Sequence, residues 1–508
     1  MSDAPAPTAS PDPAAADPAA ADPTAADPAA ADPAAADPTG GGSDGFHPAG
    51  SYPVDTLATD AKAASDTTKV QLAGRVMLWR AMGGIAFGQL QDRSGRIQFS
   101  LRKNDLGPDV FKAWAKSLAM GDFIGIKGEL WTTDKGERTV AVSELTLLNK
   151  AIRPMPDKWA GVNDPDLKYR KRYLDLLVND ESRERFLVRT KVIRFIRRYL
   201  DDHGFVEVET PILTAAASGA AARPFETHHN ALNRDFYLRI SPETYLKRVV
   251  AGGFDRVYEL GRNFRNEGID SSHLQEFTML EWYAAYWDYR DNIRFVRELI
   301  QATLAEVLGT QVVTFGGQEF DFSGHWAEID YRDEVARATG IDLHQLRDVG
   351  SLKAAIKAKG IHGSKDLDDQ VSYPGLVDLL YKKTLRPNLA QPTVLLHHPV
   401  EMVPLARRSD HDPTQLDMFQ IVVNGWEIVK AYSELVDPVD QRARLEEQTV
   451  LAAAGDDETM MMEDDFIECM EHGMPPMSGL GLGIDRFVAL ITDAPTLRDV
   501  VLFPTLRE

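Results

Sequence analysis

Three neighbouring stretches of the sequence decide the fold: residues 236–248 read FYLRISPETYLKR, residues 257–268 read VYELGRNFRNEG, and residues 273–283 read HLQEFTMLEWY. The pattern predicts a strand, a helix, a strand that ends at Arg265, a loop, and a returning strand that begins at Glu276. Alternation along the two strands directs one set of side chains to one face of each: Glu259, Gly261, Asn263, Arg265, Phe277, Met279, Glu281 and Tyr283. Such a face is too polar for an ordinary core, so we expect it to bind a ligand rather than to carry solvated ion pairs.

A second signal is a glycine-rich strand followed by a helix, where residues 479–490 read GLGLGIDRFVAL. Glycines at alternate positions remove the side chains from one face of a strand, so a flat ligand or a helix can approach the backbone closely. Arg486 then opens the helix at the edge of such a ligand. Taken alone, a strand of this kind is more often explained by tight helix–strand packing.

Composition sets the broad class of the protein. The chain has 508 residues, 44% of them hydrophobic, so it can bury a large core in two or three structural units. Cys469 is the single cysteine, which excludes an intrachain disulfide and favours a reducing, cytoplasmic location. Because we find neither an apolar run of roughly 20 residues nor a signal-peptide layout, we expect no membrane segment. The net charge of −21 does not exclude a nucleic-acid partner, since such binding depends on where basic residues cluster.

The first part of the chain divides into a tail, a lead-in and a barrel. Residues 1–45 repeat Asp-Pro every five positions between alanines, which predicts a disordered tail, and residues 46–69 form a lead-in. Short alternating strands then predict a domain over residues 70–150, with strand candidates Val70–Leu78, Ile85–Leu90, Arg96–Leu101, Asp122–Trp131 and Arg138–Leu148. A helix, Pro108–Ser117, falls between the third and fourth strands. This order is that of an OB-fold barrel, a common oligonucleotide binder.

The second part begins after a polar linker over residues 151–180 and forms one α+β unit over residues 181–508. Its first element is an amphipathic helix from about Ser182 to His203, which Gly204 ends as a left-handed residue. A strand over Phe205–Glu209 follows.

Together these segments resemble the three signature motifs of class II aminoacyl-tRNA synthetases. The helix with Glu207–Pro211 is similar to the first motif, Phe264–Glu267 to the second, and Gly479–Arg486 to the third. The barrel narrows the resemblance to the aspartyl, asparaginyl and lysyl subgroup. Within this subgroup, five segments are similar to lysyl-tRNA synthetases specifically: Ser218–Phe225, Thr227–Ala231, Leu246–Arg248, Gly252–Phe254 and Tyr432–Leu435. The implied fold is α+β, an N-terminal OB-fold β-barrel followed by an antiparallel-sheet catalytic domain over residues 181–508.

The resemblance implies a reaction and its partners. The enzyme would use ATP to activate L-lysine as lysyl-adenylate and would transfer the lysine to the 3′ end of tRNA(Lys), with Mg²⁺ bound and as a homodimer. Arg265 would contact the α-phosphate and the lysine carboxylate, while Phe277 and Arg486 would sandwich the adenine. Arg265 and Arg486 are thus the implied catalytic residues. The remaining implied ATP contacts are Glu267, His273 and Glu427.

Lysine recognition requires buried acceptors for two ammonium groups. By resemblance, Glu243 and the Gly219 carbonyl would take the α-ammonium group, and Glu434 with Tyr283 the ε-ammonium group. Glu281 supports this pocket from the same strand face as Tyr283. An aspartyl enzyme would need basic groups around the side chain of its substrate, so Glu434 argues against an aspartyl enzyme.

Two positions depart from the family pattern. The family usually has two glutamates seven positions apart as Mg²⁺ ligands. In this sequence the two positions are Gln420 and Glu427. An amide coordinates a metal through one oxygen only, so we expect the Mg²⁺ ion to be held more weakly at Gln420. Lys430 stands where an asparagine beside the lysine carboxylate is expected. Its cation could pair with that carboxylate or with a phosphate.

The barrel carries the implied anticodon contacts. Phe87 would stack on a base, and Gln98 and Glu137 would read polar base edges. Each of the three could also be an ordinary barrel side chain.

Three alternatives share parts of this pattern. A related enzyme lysylates a translation factor but lacks the barrel, and another relative makes lysyl-lipid but is fused to membrane helices. A catalytically silent paralogue that only binds tRNA or an amino acid is suggested by Gln420 and Lys430. The silent paralogue is disfavoured because the implied ATP-binding residues are present: Arg265, Glu267, Phe277 and Arg486.

Overall fold

The computed structural model describes residues 50–155, 164–220, 222–268, 270, 273–361, 367, 370–453 and 459–507. The chain divides into two compact units, residues 1–155 and 156–508. The predicted tail lies outside the described residues. Among the helices that are described, none has both the length and the apolar character needed to span a bilayer.

The first unit contains the predicted barrel. Within residues 50–155, five strands close into a barrel in the order β1-β2-β3-β5-β4, with β3 and β5 parallel. These strands are β1 Lys69–Met82, β2 Ile85–Gln91, β3 Arg96–Arg102, β4 Phe123–Thr132 and β5 Arg138–Asn149. The predicted helix between the third and fourth strands is present at the predicted bounds, as α3 Pro108–Ser117. The OB-fold prediction is therefore confirmed.

Two short helices were not predicted in this unit. Helix α1, Ala58–Ala63, lies in the lead-in and buries Ala58 and Ala61. The Ala58 N–H donates to Asp92 Oδ2 at 2.7 Å, which fixes the helix to the turn between β2 and β3. Helix α2, Lys103–Leu106, directly follows β3.

The second unit is built on an eight-stranded, mainly antiparallel sheet in the order β14-β15-β16-β17-β18-β11-β10-β6, as seen in its described residues. The strands of this unit are β6 Val206–Glu207, β7 Leu213–Thr214, β8 Phe225–His229, β9 Arg234–Leu238, β10 Arg256–Phe264, β11 Glu276–Ala285, β12 Val312–Phe315, β13 Gln318–Asp321, β14 Ala327–Asp330, β15 Thr393–Leu396, β16 Met418–Val423, β17 Trp426–Ser433 and β18 Met477–Gly483. The helices are α4 Pro165–Arg170, α5 Arg172–Val178, α6 Asp180–Asp202, α7 Glu243–Ala251, α8 Tyr289–Leu308, α9 Tyr331–Thr339, α10 Val349–Ala358, α11 Tyr373–Thr384, α12 Pro438–Ala453, α13 Asp464–Glu471 and α14 Ile484–Ile491.

The two faces of the large sheet differ in character. One face is apolar and carries Leu280 and Trp282 of β11 and Leu480 and Leu482 of β18, which pack in the main core with α6, α8 and α14. Since side chains alternate along a strand, the intervening residues point to the opposite face. That opposite face carries the polar residues described below.

The predicted hairpin is present as β10 and β11, paired antiparallel with Glu259 opposite Glu281. The predicted long helix is present as α6, and Gly204 after it has a φ of +78°, as expected of a left-handed residue. The strand predicted over Phe205–Glu209 is shorter, because only Val206–Glu207 pairs with β10.

The segment predicted as a linker contains α4 and α5. Arg172 and Asp175 of α5 form an ion pair of 2.8 Å in which neither side chain is exposed. The Arg172 guanidinium also donates to the carbonyl oxygens of Arg498 and Leu502, at 2.7 and 3.1 Å. These contacts fix α5 to the C-terminal segment of the same unit.

Replacing Arg172 with alanine should destabilise this unit, because it leaves the Asp175 carboxylate buried and unpaired. The expected cost is about 3–5 kcal/mol. Urea unfolding followed by tryptophan fluorescence measures it. Lys191→Ala is the matched control, since it breaks an ion pair with Glu184 in which both side chains are more than half exposed, and should cost less than about 1 kcal/mol. Equal losses in the two variants would contradict the account.

Candidate active site

One row of residues crosses the polar face of the large sheet from strand to strand. The strand register places Glu259 opposite Glu281, Glu281 opposite Gly481, Gly481 opposite Lys430, and Lys430 opposite Gln420. Residues opposite one another in a sheet share a face. Two glutamates, a glutamine and a lysine from β10, β11, β16 and β17 are thus aligned around a glycine of β18.

The glycines of β18 make room for this site. A Cβ atom at Gly479 would overlap both Glu434 Oε1 and the ring of Tyr283. The glycine therefore lets these two side chains meet across the central strand. Gly261 of β10 has a similar role, because a Cβ atom there would overlap the guanidinium of Arg239. Arg239 donates to Glu259 Oε1 at 2.5 Å, and both side chains are buried.

Three buried carboxyl groups surround a pocket on this face. Glu243 lies in the first turn of α7, Glu281 on β11, and Glu434 just after β17; each is at most 5% exposed. The Nζ atom of Lys247, from the same helix as Glu243, lies 2.6 Å from Glu243 Oε1 and also pairs with Glu434. Tyr432 donates its hydroxyl to Glu243, at 2.7 and 2.8 Å from the two carboxylate oxygens.

The electrostatics of the pocket disfavour three negative charges. Burial, followed by the charge of Glu243, raises the pKa of Glu281 to about 8. Burial also raises the pKa of Glu434 well above its usual range. Glu281 accepts hydrogen bonds from Ser241 Oγ at 3.0 Å and from the Tyr283 hydroxyl at 3.3 Å. In the free pocket the Glu281 carboxyl group therefore retains its proton near neutral pH.

A tight loop borders the pocket at Gly219. Gly219 has a φ of +82°, and a Cβ atom there would lie 3.1 Å from both Glu243 Cβ and Ser241 Oγ. The loop thus passes directly over the first turn of α7. Glu463 secures this arrangement, because it accepts from Ser218 in the loop and pairs with Arg248 of α7.

The nucleotide half of the predicted site lies at the ends of β10, β11 and β18. The Arg265 guanidinium stacks on the Phe277 ring, with Cζ 5.1 Å from the ring centre. Arg265 Nε is buried and has no hydrogen-bond acceptor among the described residues. Arg486, in the first turn of α14, donates to the Glu427 carbonyl oxygen at 3.0 Å. Burial lowers the pKa of Arg486, and Glu427 and Glu267 are among the charges that act on it.

His273 lies in the loop before β11 and is partly exposed. Its side chain is 44% exposed, and its Nδ1 is 2.8 Å from Asp270 Oδ2. The structure thus places Arg265, Phe277 and Arg486 at neighbouring strand ends of the sheet. His273 is on the surface, in the loop between β10 and β11.

The predicted metal ligands are in contact with each other. Gln420 Nε2 donates to Glu427 Oε2, while Gln420 Oε1 is buried and has no donor among the described residues. Over that same part of the chain, no group of three or more His, Cys, Asp or Glu side chains is placed to hold a metal. The Gln420 oxygen and the Glu427 carboxylate suit Mg²⁺ as donors, but most ligands of such an ion would have to come from a nucleotide or from water.

Two of the three predicted anticodon residues, Phe87 and Gln98, lie on the neighbouring strands β2 and β3, and Glu137 directly precedes β5. Gln98 is opposite Thr139 in the register of β3 and β5, and Thr139 Oγ1 donates to Gln98 Oε1 at 2.8 Å. Phe87 is half-buried on β2, and Glu137 is exposed in the turn before β5. Gln98 is opposite Gln89 of β2 in the register, and Phe87 is two residues from Gln89, so Phe87 and Gln98 point to the same face.

Several pocket residues were not predicted as functional. Lys247 was noticed only as part of a motif, and Ser241, Tyr432 and Glu463 were given no role. A signal for Lys247 was available, because Glu243 and Lys247 are spaced i, i+4 on a predicted helix, a spacing typical of a helical ion pair. Sequence alone gives no sign that this pair is buried.

Comparisons with known proteins agree with this architecture. Residues 164–507 match the family described as tRNA synthetases class II (D, K and N), and residues 70–148 match the OB-fold nucleic acid binding domain. A lysine–tRNA ligase of Pelotomaculum thermopropionicum is 45% identical over 438 residues, which cover 86% of each chain. A lysine–tRNA ligase of Haemophilus influenzae is 45% identical over 443 residues, which cover 87% of this chain and 88% of the relative. The chain therefore belongs to the class II tRNA synthetases and, among them, to the lysine–tRNA ligase family.

Proposed function

We propose that the chain uses ATP to activate L-lysine as lysyl-adenylate and then transfers the lysine to the 3′ end of tRNA(Lys). The charge of the pocket is the observation that carries this proposal. Glu243, Glu281 and Glu434 are three buried carboxyl groups, and Lys247 supplies one resident ammonium group. The pocket thus holds more carboxyl groups than ammonium groups, and free lysine brings two ammonium groups. An amino acid with an apolar side chain would leave a buried carboxylate unpaired.

The two ammonium groups have different acceptors in this proposal. The α-ammonium group donates to Glu243 and to the Gly219 carbonyl oxygen, and the ε-ammonium group donates to Glu434 and to the Tyr283 hydroxyl. Two observations support this assignment. Gly219 lies against the first turn of α7, where Glu243 is located, and Glu434 meets Tyr283 across Gly479. Glu281 supports Tyr283 from the same strand.

The first chemical step needs positioning more than proton transfer. A carboxylate oxygen of lysine attacks the α-phosphorus of ATP, and pyrophosphate leaves with the electron pair of the broken P–O bond. Arg265 is proposed to hold the α-phosphate and the lysine carboxylate together, which stabilises the charge that develops between them. Phe277 and Arg486 hold the adenine between them, and Glu267 and His273 contact the nucleotide from the loop. In the second step a 3′-terminal hydroxyl of tRNA attacks the lysyl carbonyl, and AMP leaves.

Mg²⁺ is proposed to bind beside the nucleotide at Glu427 and at the oxygen of Gln420. When bound, the ion would neutralise phosphate charge. Lys430 is next to Gln420 in the sheet register and is half-buried. We propose that its ammonium group pairs with the lysine carboxylate or a phosphate, which compensates in part for the neutral amide at Gln420.

We propose the partners and the location by analogy with the family. Phe87, Gln98 and Glu137 are proposed to contact the anticodon of tRNA(Lys). We also propose a homodimer, supported by exposed apolar side chains on and beside β6 and β7, such as Val206 and Ile212, each 46% exposed. We propose a cytoplasmic location, because charged tRNA is used there in translation.

Pyrophosphate exchange tests the proposed function directly. The chain should catalyse exchange of pyrophosphate into ATP that depends on lysine, and should charge tRNA(Lys). Glu434→Gln should raise the KM for lysine by two to three orders of magnitude, because an ammonium group buried without its carboxylate costs about 3–5 kcal/mol. Glu306→Gln, at an exposed ion pair with Arg198, is the matched control.

The same assay separates the alternatives. Absence of exchange with every amino acid would favour the silent paralogue, and exchange without charging of tRNA would favour lysylation of a protein. Exchange supported equally well by aspartate would contradict the role of Glu434.

Lysine binding in the absence of ATP should release protons at pH 7. The pKa of Glu281 is about 8 in the free pocket, so its carboxyl group is mostly protonated at pH 7, and the incoming ammonium groups favour its ionised form. Titration calorimetry in buffers of different ionisation enthalpy counts these protons. The release should diminish above pH 8 and should be smaller in Glu281→Gln. Equal release in the variant and the original chain would rule out Glu281 as the source.

Gln420→Glu should lower the Mg²⁺ concentration needed for half-maximal exchange, because a second carboxylate strengthens the metal site. The measurement is exchange activity against Mg²⁺ concentration at saturating lysine and ATP. Gln415→Glu outside the sheet is the control. An unchanged Mg²⁺ dependence in Gln420→Glu would argue against a metal at this position.

A further inference from the structure

Lys247 has an unusual position for a lysine. Its side chain is fully buried, and its Nζ atom lies between two buried carboxyl groups, 2.6 Å from Glu243 Oε1 and in an ion pair with Glu434. Three aromatic rings complete its surroundings, with centres 6.0, 5.8 and 5.7 Å from Nζ for Tyr283, Tyr432 and Phe466. Burying an ammonium group is costly unless it is well paired. The pairing with two carboxyl groups is therefore the reason that this cation is tolerated.

The ammonium group joins parts of the chain that are distant in sequence. Glu243 and Lys247 are one turn apart on α7, so the helix fixes their separation. Glu434 follows β17, and its backbone N–H donates to the Met477 carbonyl oxygen at the start of β18. Lys247 is thus the group that links the carboxyl group on the helix to the one at the sheet.

Lys247 also divides the carboxylate oxygens between itself and the pocket. It takes Glu243 Oε1 and Glu434 Oε2, the two oxygens with which it forms its ion pairs. Neither Glu434 oxygen has a hydrogen-bond donor among the described residues, but only Oε2 is in the ion pair with Lys247, while Oε1 is buried against Gly479. Glu243 Oε2 accepts from the Tyr432 hydroxyl at 2.8 Å and has capacity for a further donor. One oxygen of each carboxylate therefore stays available.

We propose that Lys247 is a positioning and specificity-determining residue, which sets the separation of the two carboxylates that receive the α- and ε-ammonium groups of the amino acid. The proposal rests on the proposed function and goes beyond it. It gives the Lys247 ammonium group a role in selecting the length of the amino acid. Without that cation, Glu243 and Glu434 would repel each other and their side chains could reorient. With it, the available oxygens of Glu243 and Glu434 are held at a fixed separation. That separation suits the two ammonium groups of a diamine of one particular length.

The expected consequence is a loss of discrimination between lysine and ornithine, which is shorter by one methylene group. A difference of one methylene in a fitted pocket is worth roughly 10–200-fold in kcat/KM. Lys247→Met keeps a long, unbranched side chain and removes its charge. In this variant the KM for lysine should rise at least tenfold, the KM for ATP should stay within about twofold, and the ratio of kcat/KM for lysine over ornithine should fall about tenfold. Pyrophosphate exchange measures all three.

Lys168→Met is the matched control for a structural effect. It makes the same substitution at a partly buried ion pair, where Lys168 Nζ is 2.6 Å from Asp499 Oδ1 and the aspartate side chain is not exposed. Both variants should lose thermal stability, but only Lys247→Met should change the lysine-to-ornithine ratio. An unchanged ratio in Lys247→Met, or an equal change in Lys168→Met, would overturn the proposal.

A second variant carries the test if Lys247→Met does not fold. Lys247→Arg keeps a positive charge but moves it, so the KM for lysine should rise and the lysine-to-ornithine ratio should change. An unchanged ratio in this variant would also overturn the proposal. Failure of the proposed function is a separate result, since the unaltered chain would then show no lysine-dependent exchange at all.

Discussion

The structure of the second unit depends on the packing of β18 between β11 and β17. This strand must present leucines to the core on one face and leave the other face open, and it does so with Leu480 and Leu482 alternating with glycines. The leucines hold α6, α8 and α14 to the sheet, while the glycines let side chains from neighbouring strands meet over the centre. Stability and binding therefore use opposite faces of the same strand. Any side chain at Gly479 would separate Glu434 from Tyr283 without disturbing the core below.

Periodicity predicted those elements whose burial alternates clearly along the chain. Helix α3 and the hairpin of β10 and β11 have regular patterns of apolar side chains, and their bounds agree closely with the predictions. The sequence pattern does not predict helix α1, because the only side chains that this helix buries are Ala58 and Ala61. Alanines give little hydrophobic contrast with the polar residues between them. The strand after Gly204 was predicted too long, since strand length depends on the partner, and β10 pairs with only two of its residues.

Family resemblance assigned most site residues, but it could not supply their ionic environment. Nothing in the local sequence of Lys247 distinguishes a solvated helical lysine from a buried one. Its burial depends on Glu434 and Phe466, which come from elements far along the chain. The raised pKa of Glu281 has the same origin, because it results from burial and from the charge of Glu243 on another element. Such quantities arise only from the assembled pocket.

The strand order has a consequence for the synthesis of the protein on the ribosome. Strand β18 is the last strand in the sequence, yet it lies in the middle of the sheet. A nascent chain that has emerged only as far as β17 has two half-sheets, one ending at β11 and the other at β17, with no strand to join them. The pocket walls, one at Glu243 and the other at Glu434, then belong to separate pieces. The enzyme thus acquires its complete substrate pocket only after β18 has been synthesised and has paired with both β11 and β17.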